Sequence, residues 1–172
     1  MKQLIVFIDS GDTLINEDTE VRDARDVVLR AEMLPGAKEM LLQLKASGYP
    51  VALVADGLAE SFENVYGQHG VRELFDGWAV SELVGVCKPD PRMFQTAMAQ
   101  LSLTDADIPR IVMIGNNIKR DIRGANALGI TSILMQWSRH YSYTPDDPLE
   151  IPRYAVTCPA ELPALLKKLR GG

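Results

Sequence analysis

Leu4-Ile5-Val6-Phe7-Ile8-Asp9-Ser10-Gly11-Asp12-Thr13-Leu14 is an apolar, β-branched run that stops at an acidic residue and a polar turn. Residues 4–8 show no polar alternation. That is the pattern of a strand covered on both faces, as in parallel sheets with helices above and below. Asp9 then falls at the carboxyl edge of the strand, where open parallel α/β sheets bind ligands. A turn of Gly and Asp is also ordinary punctuation, so the reading depends on what the other strands bring to the same edge.

Working outward, helical and strand patterns alternate. The polar stretch Asn16-Glu17-Asp18-Thr19 predicts a helix running to about Met33, with Val21, Ala24, Val28 and Ala31 on one face. Pro35-Gly36 ends it, and Ala37 to Ser47 carries Met40, Leu41 and Leu44 at helical spacing before Gly48. Val51-Ala52-Leu53-Val54 is a second buried strand ending in Asp56-Gly57. A helix over 58–67 and a short strand at Trp78-Ala79-Val80 follow. Lys88-Pro89-Asp90-Pro91 then places Asp90 as the cap of a helix whose first residue is Pro91. Ile111-Val112-Met113-Ile114 is a third buried strand with the turn Gly115-Asn116-Asn117. A helix over 121–128, a strand over 132–135, a long irregular segment from Trp137 to Arg153, a strand over 154–157 and a helix over 161–169 complete the chain. Strands separated by helices of this length define an α/β fold, a doubly wound parallel sheet with helices on both faces.

With 172 residues, 47% of them hydrophobic, the chain suits one domain with a sizeable core over 1–172. A net charge of −5, without runs of like charge, argues against a patch for nucleic-acid phosphates. Two cysteines, Cys87 and Cys158, are too few for a disulfide framework and lack metal-ligand spacing; buried or half-buried thiols in a reducing cytoplasm are expected. No stretch is apolar enough to span a membrane, and no signal-peptide layout precedes the first strand.

Right-handed crossovers bring the carboxyl ends of the central strands to one edge. Asp9, Asp56, Asn116 with Asp121 nearby, and Lys88 from a loop gather there. An aspartate nucleophile forming an aspartyl-phosphate must approach a phosphate that repels it. A hard cation such as Mg²⁺ on carboxylates and a carbonyl, plus one lysine, cancels that repulsion. No Gly-x-Ser-x-Gly elbow is present, and His69 and His140 sit in a helix end and a loop, where a structural role is the expectation.

These residues resemble the haloacid dehalogenase-like hydrolases over nearly the whole chain. Asp9 and Thr13 fit the first motif, an Asp with a Thr four residues on. Lys88-Pro89-Asp90-Pro91 fits the third, and Gly115-Asn116 with Asp121 fits the fourth, written Gly-Asp, four residues, Asp. Leu34-Pro35-Gly36-Ala37 and Asp121-Ile122-Arg123-Gly124-Ala125 match neighbouring text. The resemblance implies that Asp9 is nucleophile and Mg²⁺ ligand, that Gly11 lends its backbone carbonyl, and that Asn116 and Asp121 complete the metal shell. Lys88 would orient Asp9 and neutralise phosphate, with Thr13 part of the same machinery. Backbone donors around Ala55, Asp56 and Gly57 would hold the remaining phosphate oxygens.

Three positions depart from the family. Gly11 stands where its phosphatases carry a second Asp that protonates the leaving group and then activates water. Loss of such a group costs about 10²–10⁴-fold and falls hardest on alcohol leaving groups; Asp12, one residue on, is a carboxylate that could reach in, but it occupies the family's Gly position, which argues that it points elsewhere. Asn116 offers a neutral oxygen where a carboxylate is usual. Ala55 removes a hydroxyl donor. Neither Asn16 to Leu34 nor Asp56 to Lys88 has room for a cap domain, so the site is open, suited to a bulky phosphorylated substrate, small or macromolecular, or to closure by a second copy in a homo-oligomer. The aromatic segment with Trp137, Arg139, His140, Tyr141 and Tyr143 lies near that edge, where contact with substrate or partner and simple surface packing both fit. The reading is thus a cytoplasmic, Mg²⁺-dependent phosphatase of altered acid–base machinery. An impaired member that binds a phosphorylated ligand is the alternative, and a dehalogenase fits Gly11 but not the missing cap.

Overall fold

The computed structural model describes residues 3–171. β1 (Ile5–Ile8) has every residue buried, and alternate side chains go to opposite faces. Val6 and Ile8 pack in one core with Met40, Leu41 and Leu44 of α1 (Ala37–Ala46) and with Leu162 and Leu166 of the last helix. Ile5 and Phe7 pack in the other with Met93, Phe94 and Ala97 of the helix that starts at Pro91. Both faces of β1 are apolar because both are core, which is why its sequence shows no alternation.

β1 pairs in parallel with β4 (Val51–Ala55) on one side and β6 (Ile111–Gly115) on the other, with Ile8 level with both Leu53 and Ile114. β5 (Gly77–Val80) adds beyond β4, and β7 (Thr131–Met135) and β8 (Tyr154–Val156) beyond β6, giving the order β5-β4-β1-β6-β7-β8, all parallel. The chain leaves β1 toward β4 and later returns to its other side at β6. The carboxyl end of β1 is therefore the topological switch point, and Asp9 stands on it.

The helices follow their signals. α2 (Ala59–Gln68) follows β4 and the short α3 (Ser81–Val84) follows β5. α4 (Pro91–Gln100) begins as expected, with the Asp90 carboxylate accepting from Arg92 N at 2.9 Å. A π turn at Ile118–Ile122 leads into α5 (Arg123–Ala127), and α6 (Leu162–Gly171) follows β8.

The helix expected over residues 16–33 is not formed. That stretch folds as a 3₁₀ turn, Glu17–Thr19, and a hairpin of β2 (Val21–Arg22) and β3 (Val28–Arg30). Asp23 decides it. Its carboxylate accepts the N–H groups of Arg25 at 2.8 Å and Val27 at 3.0 Å, offering the backbone a turn in place of a helix. Val21 and Leu29 consequently face solvent, and the hairpin lies on α2 through Val28 N to Ser61 Oγ at 2.9 Å and Asn64 Nδ2 to Val28 O at 3.1 Å. The expectation of buried or half-buried thiols fits Cys158 and is corrected at Cys87, which is exposed on the loop before Lys88. Among the described residues no helix is long and apolar enough to cross a membrane.

Candidate active site

Asp9 follows β1 with its backbone N–H bonded to Ile114 O at 2.9 Å, which fixes it against β6. Lys88 reaches it from the loop ahead of α4. The lysine side chain is 2% exposed and its Nζ donates to Asp9 Oδ1 at 2.8 Å, Asp121 Oδ1 at 2.6 Å and Val54 O at 2.8 Å. All three donors of the ammonium are thus spent, two of them on carboxylates. Burial alone would lower the lysine's pKa, but Asp121 and then Asp9 hold it above the ordinary range, so it stays charged. Burial and then the Asp121 charge push the Asp9 carboxyl up to about 7, against the pull of Lys88.

Asp121 is placed by its neighbours. Its Oδ2 accepts Asn117 N at 3.0 Å, and the side chain lies against Gly115, where a Cβ would come within 2.2 Å of Asp121 Cγ. Only glycine leaves room for that carboxylate. Asn116 is buried, and its Nδ2 has no hydrogen-bond partner among the described residues. Asp56 accepts the backbone N–H of Lys88 at 2.9 Å and meets Arg120 Nη1 at 3.5 Å.

Asp9, Gly11, Lys88, Asn116, Asp121 and Asp56 line one recess of about 110 Å³. Three of the expected residues stand apart from it. Ala55 is buried in the core, Thr13 is fully buried with its hydroxyl unpartnered, and Gly57 donates its N–H to Ser81 Oγ at 2.8 Å beside an adjoining recess. Asp12 turns away, as its position implied. Its backbone is left-handed at φ +49, and its buried carboxylate accepts Glu17 N at 3.1 Å and meets His140 Nδ1 at 2.5 Å.

Three further residues, Glu17, Asn117 and Arg120, line the recess without having been singled out for it, and Tyr141 of the aromatic segment lines it as well. Glu17 was hidden in a polar stretch that reads as a helix start, and Arg120 is visible only as the neighbour of Asp121. Tyr141 arrives on the long segment after β7, which His140 ties to the loop after β1. Burial, then the Asp12 and Glu20 charges, raise the Glu17 carboxyl above the usual range. Asp12, Glu17 and His140 also bring ligand atoms close enough together to hold a metal ion. The Asp12 carboxylate there is already engaged, whereas the recess around Asp9 offers two carboxylates sharing a single ammonium and the side-chain oxygen of Asn116. That excess of negative charge over hard oxygen donors fits a divalent cation.

The parallel sheet thus carries two acidic residues and a buried lysine at its switch point, with the lysine bonded to both carboxylates. The chain belongs to the haloacid dehalogenase-like hydrolases, whose family model matches residues 4–129. It is 27% identical to a glyceraldehyde 3-phosphate phosphatase of Methanopyrus kandleri over 78% of this chain and 57% of that protein. It is 30% identical to one of Pyrococcus furiosus over 79% and 54% respectively, so the chain spans little more than half the length of these relatives. An uncharacterised protein of Listeria monocytogenes serotype 4b has a similar crystal structure, with a TM-score of 0.80 and 26% identity over 98% of this chain and 99% of that one.

Proposed function

We propose that the chain is a phosphatase, hydrolysing a phosphate ester or anhydride of a small molecule through an aspartyl-phosphate on Asp9, with Mg²⁺ as its cofactor. The observation that carries this reading is the Lys88 ammonium, buried and shared between Asp9 and Asp121 at the switch point of the sheet. Asp9 is the nucleophile: one carboxylate oxygen bonds to phosphorus as the bond to the leaving oxygen breaks, and water later attacks the same phosphorus and frees the carboxylate. Lys88 holds the Asp9 carboxylate in place and offsets charge on the phosphate oxygens. Asp9, Asp121, Asn116 and the Gly11 carbonyl would hold the cation, which supplies the positive charge that lets an anionic nucleophile meet an anionic phosphate. Asn117 and Arg120, which also line the recess, are placed to meet the remaining phosphate oxygens. Relatives named for a small phosphate ester support this substrate class.

The test is phosphate release from acyl, aryl, sugar and nucleotide phosphates, with and without Mg²⁺, using Asp9→Asn as control. Release that needs both Mg²⁺ and Asp9 is expected. A wild type no faster than Asp9→Asn would overturn the reading and leave a protein that binds a phosphorylated ligand.

A further inference from the structure

A nucleophile at Asp9 expels an oxygen, and an alkyl oxygen leaves poorly unless it is protonated as it departs. The donor must face the recess and have a free oxygen. Asp121 accepts from Lys88 and from Asn117 N, and Asp56 accepts from Lys88 N. Asp12 faces His140, and Lys88 has no proton to spare from its three acceptors. Glu17 remains. Among the described residues its carboxylate accepts no hydrogen bond, and its nearest charged partner is His140 at 3.7 Å.

The position of that carboxylate is set by what residue 11 lacks. A Cβ on Gly11 would lie 1.8 Å from Glu17 Oε1 and 2.8 Å from its Cδ. The carboxylate therefore fills the side-chain space of the residue two past the nucleophile. It is held there from three sides: its own N–H donates to Asp12 Oδ1, Asn16 caps the 3₁₀ turn, and His140 bridges Asp12, Glu17 and Asp18. Glu17 also lines a second adjoining recess, of about 140 Å³, with Arg22, Leu58 and Phe62, so its oxygen stands between the reacting centre and a space that can hold a leaving group.

We infer that Glu17 is the proton donor and acceptor of the reaction, taking the place left by Gly11; the inference rests on Asp9 being the nucleophile of a phosphatase. In the first step Asp9 bonds to phosphorus, the ester P–O bond breaks, and its electron pair goes to the leaving oxygen, which takes the Glu17 proton. In the second, water bonds to phosphorus and gives its proton to the Glu17 carboxylate, while the P–O bond to Asp9 breaks and its electron pair returns to Asp9. Both residues end as they began, and the products are an alcohol and phosphate. The chain then accepts alkyl phosphates, contrary to what Gly11 alone predicts.

The test compares an alkyl phosphate (glycerol phosphate) with acetyl phosphate, whose leaving group needs no proton. Glu17→Gln is expected to lose about 10²–10⁴-fold in kcat/KM on the alkyl ester and less than about fivefold on acetyl phosphate. Gly11→Asp alone would collide with Glu17, whereas the double variant Gly11→Asp, Glu17→Ala has one carboxylate in the same space and is expected to regain alkyl turnover relative to Glu17→Ala. Equal losses on both substrates, or none on the alkyl ester, would remove this role while leaving the phosphatase standing. A wild type inactive on both would remove the phosphatase and this role with it.

Discussion

At the scale of single residues, the site depends on one buried cation and one missing side chain. Lys88 shares its ammonium between two carboxylates, those of Asp9 and the buried Asp121. Replacing it with Met keeps the volume but leaves both charges unpaired, and removing one partner of a buried pair costs about 3–5 kcal/mol. Urea denaturation of Lys88→Met is expected to show a midpoint lowered by that free energy divided by the slope, with the slope itself unchanged; a wild-type midpoint would mean the ammonium is not what the carboxylates lean on. Gly115→Ala tests the other feature. Its Cβ would overlap Asp121, so the carboxylate must swing away from Lys88. Overpacking of this kind costs about 1–3 kcal/mol, and phosphate release is expected to fall with it. Full activity in Gly115→Ala would show that Asp121 need not occupy its present place.

At the scale of elements, the segment after β7 is fastened over the loop after β1 by one histidine. The hydrogen bond to Asp12 raises the His140 pKa above 6.5, helped by the Asp12, Asp18 and Glu17 charges. A histidine whose folded pKa lies above its unfolded value adds stability that is fully present below the unfolded pKa and is lost as pH rises through the folded one. The melting temperature of wild type should therefore exceed that of His140→Ala most between about pH 5 and 6.5, and the gap should narrow above that window. Asp9, which titrates near 7, is common to both proteins and cancels in the comparison. A gap independent of pH would mean His140 acts through packing alone. The same element shows what the sequence could and could not disclose. β1, β4, β6 and the Asp90-Pro91 helix start were legible because burial on two faces and capping chemistry are local. So were Asp9, Lys88 and Asp121, whose convergence follows from parallel topology. The hairpin over 21–30 was not, since Val21, Ala24 and Val28 also fit a helix and only the Asp23 turn and the docking on α2 break the tie. The meeting of His140 with Asp12 and of Glu17 with Gly11 joins segments by tertiary contact, and no periodicity records it.

At the scale of the whole molecule, the sheet divides the interior into two cores, yet both feed one site. Asp9 and Asp121 follow strands that belong to each, and Lys88 precedes the helix that covers one of them. Ile133 in β7 belongs to one core and Ile111 in β6 to the other, both fully buried. Each Ile→Val change removes one methylene at a cost of about 0.5–1.5 kcal/mol. Because the two side chains lie on opposite faces and share no core, their costs should add to within about 0.5 kcal/mol. The strands themselves are joined edge to edge through β6 and β7, so the double variant should still unfold in one transition whose denaturant slope matches the wild type. Two resolved transitions would show that the faces melt separately. In that case the carboxylates could part from Lys88 while half the fold survives, and loss of phosphate release would precede global unfolding. A single transition means the recess lasts as long as the sheet does, because the strands that carry Asp9 and Asp121 are adjacent and neither core can loosen without moving them.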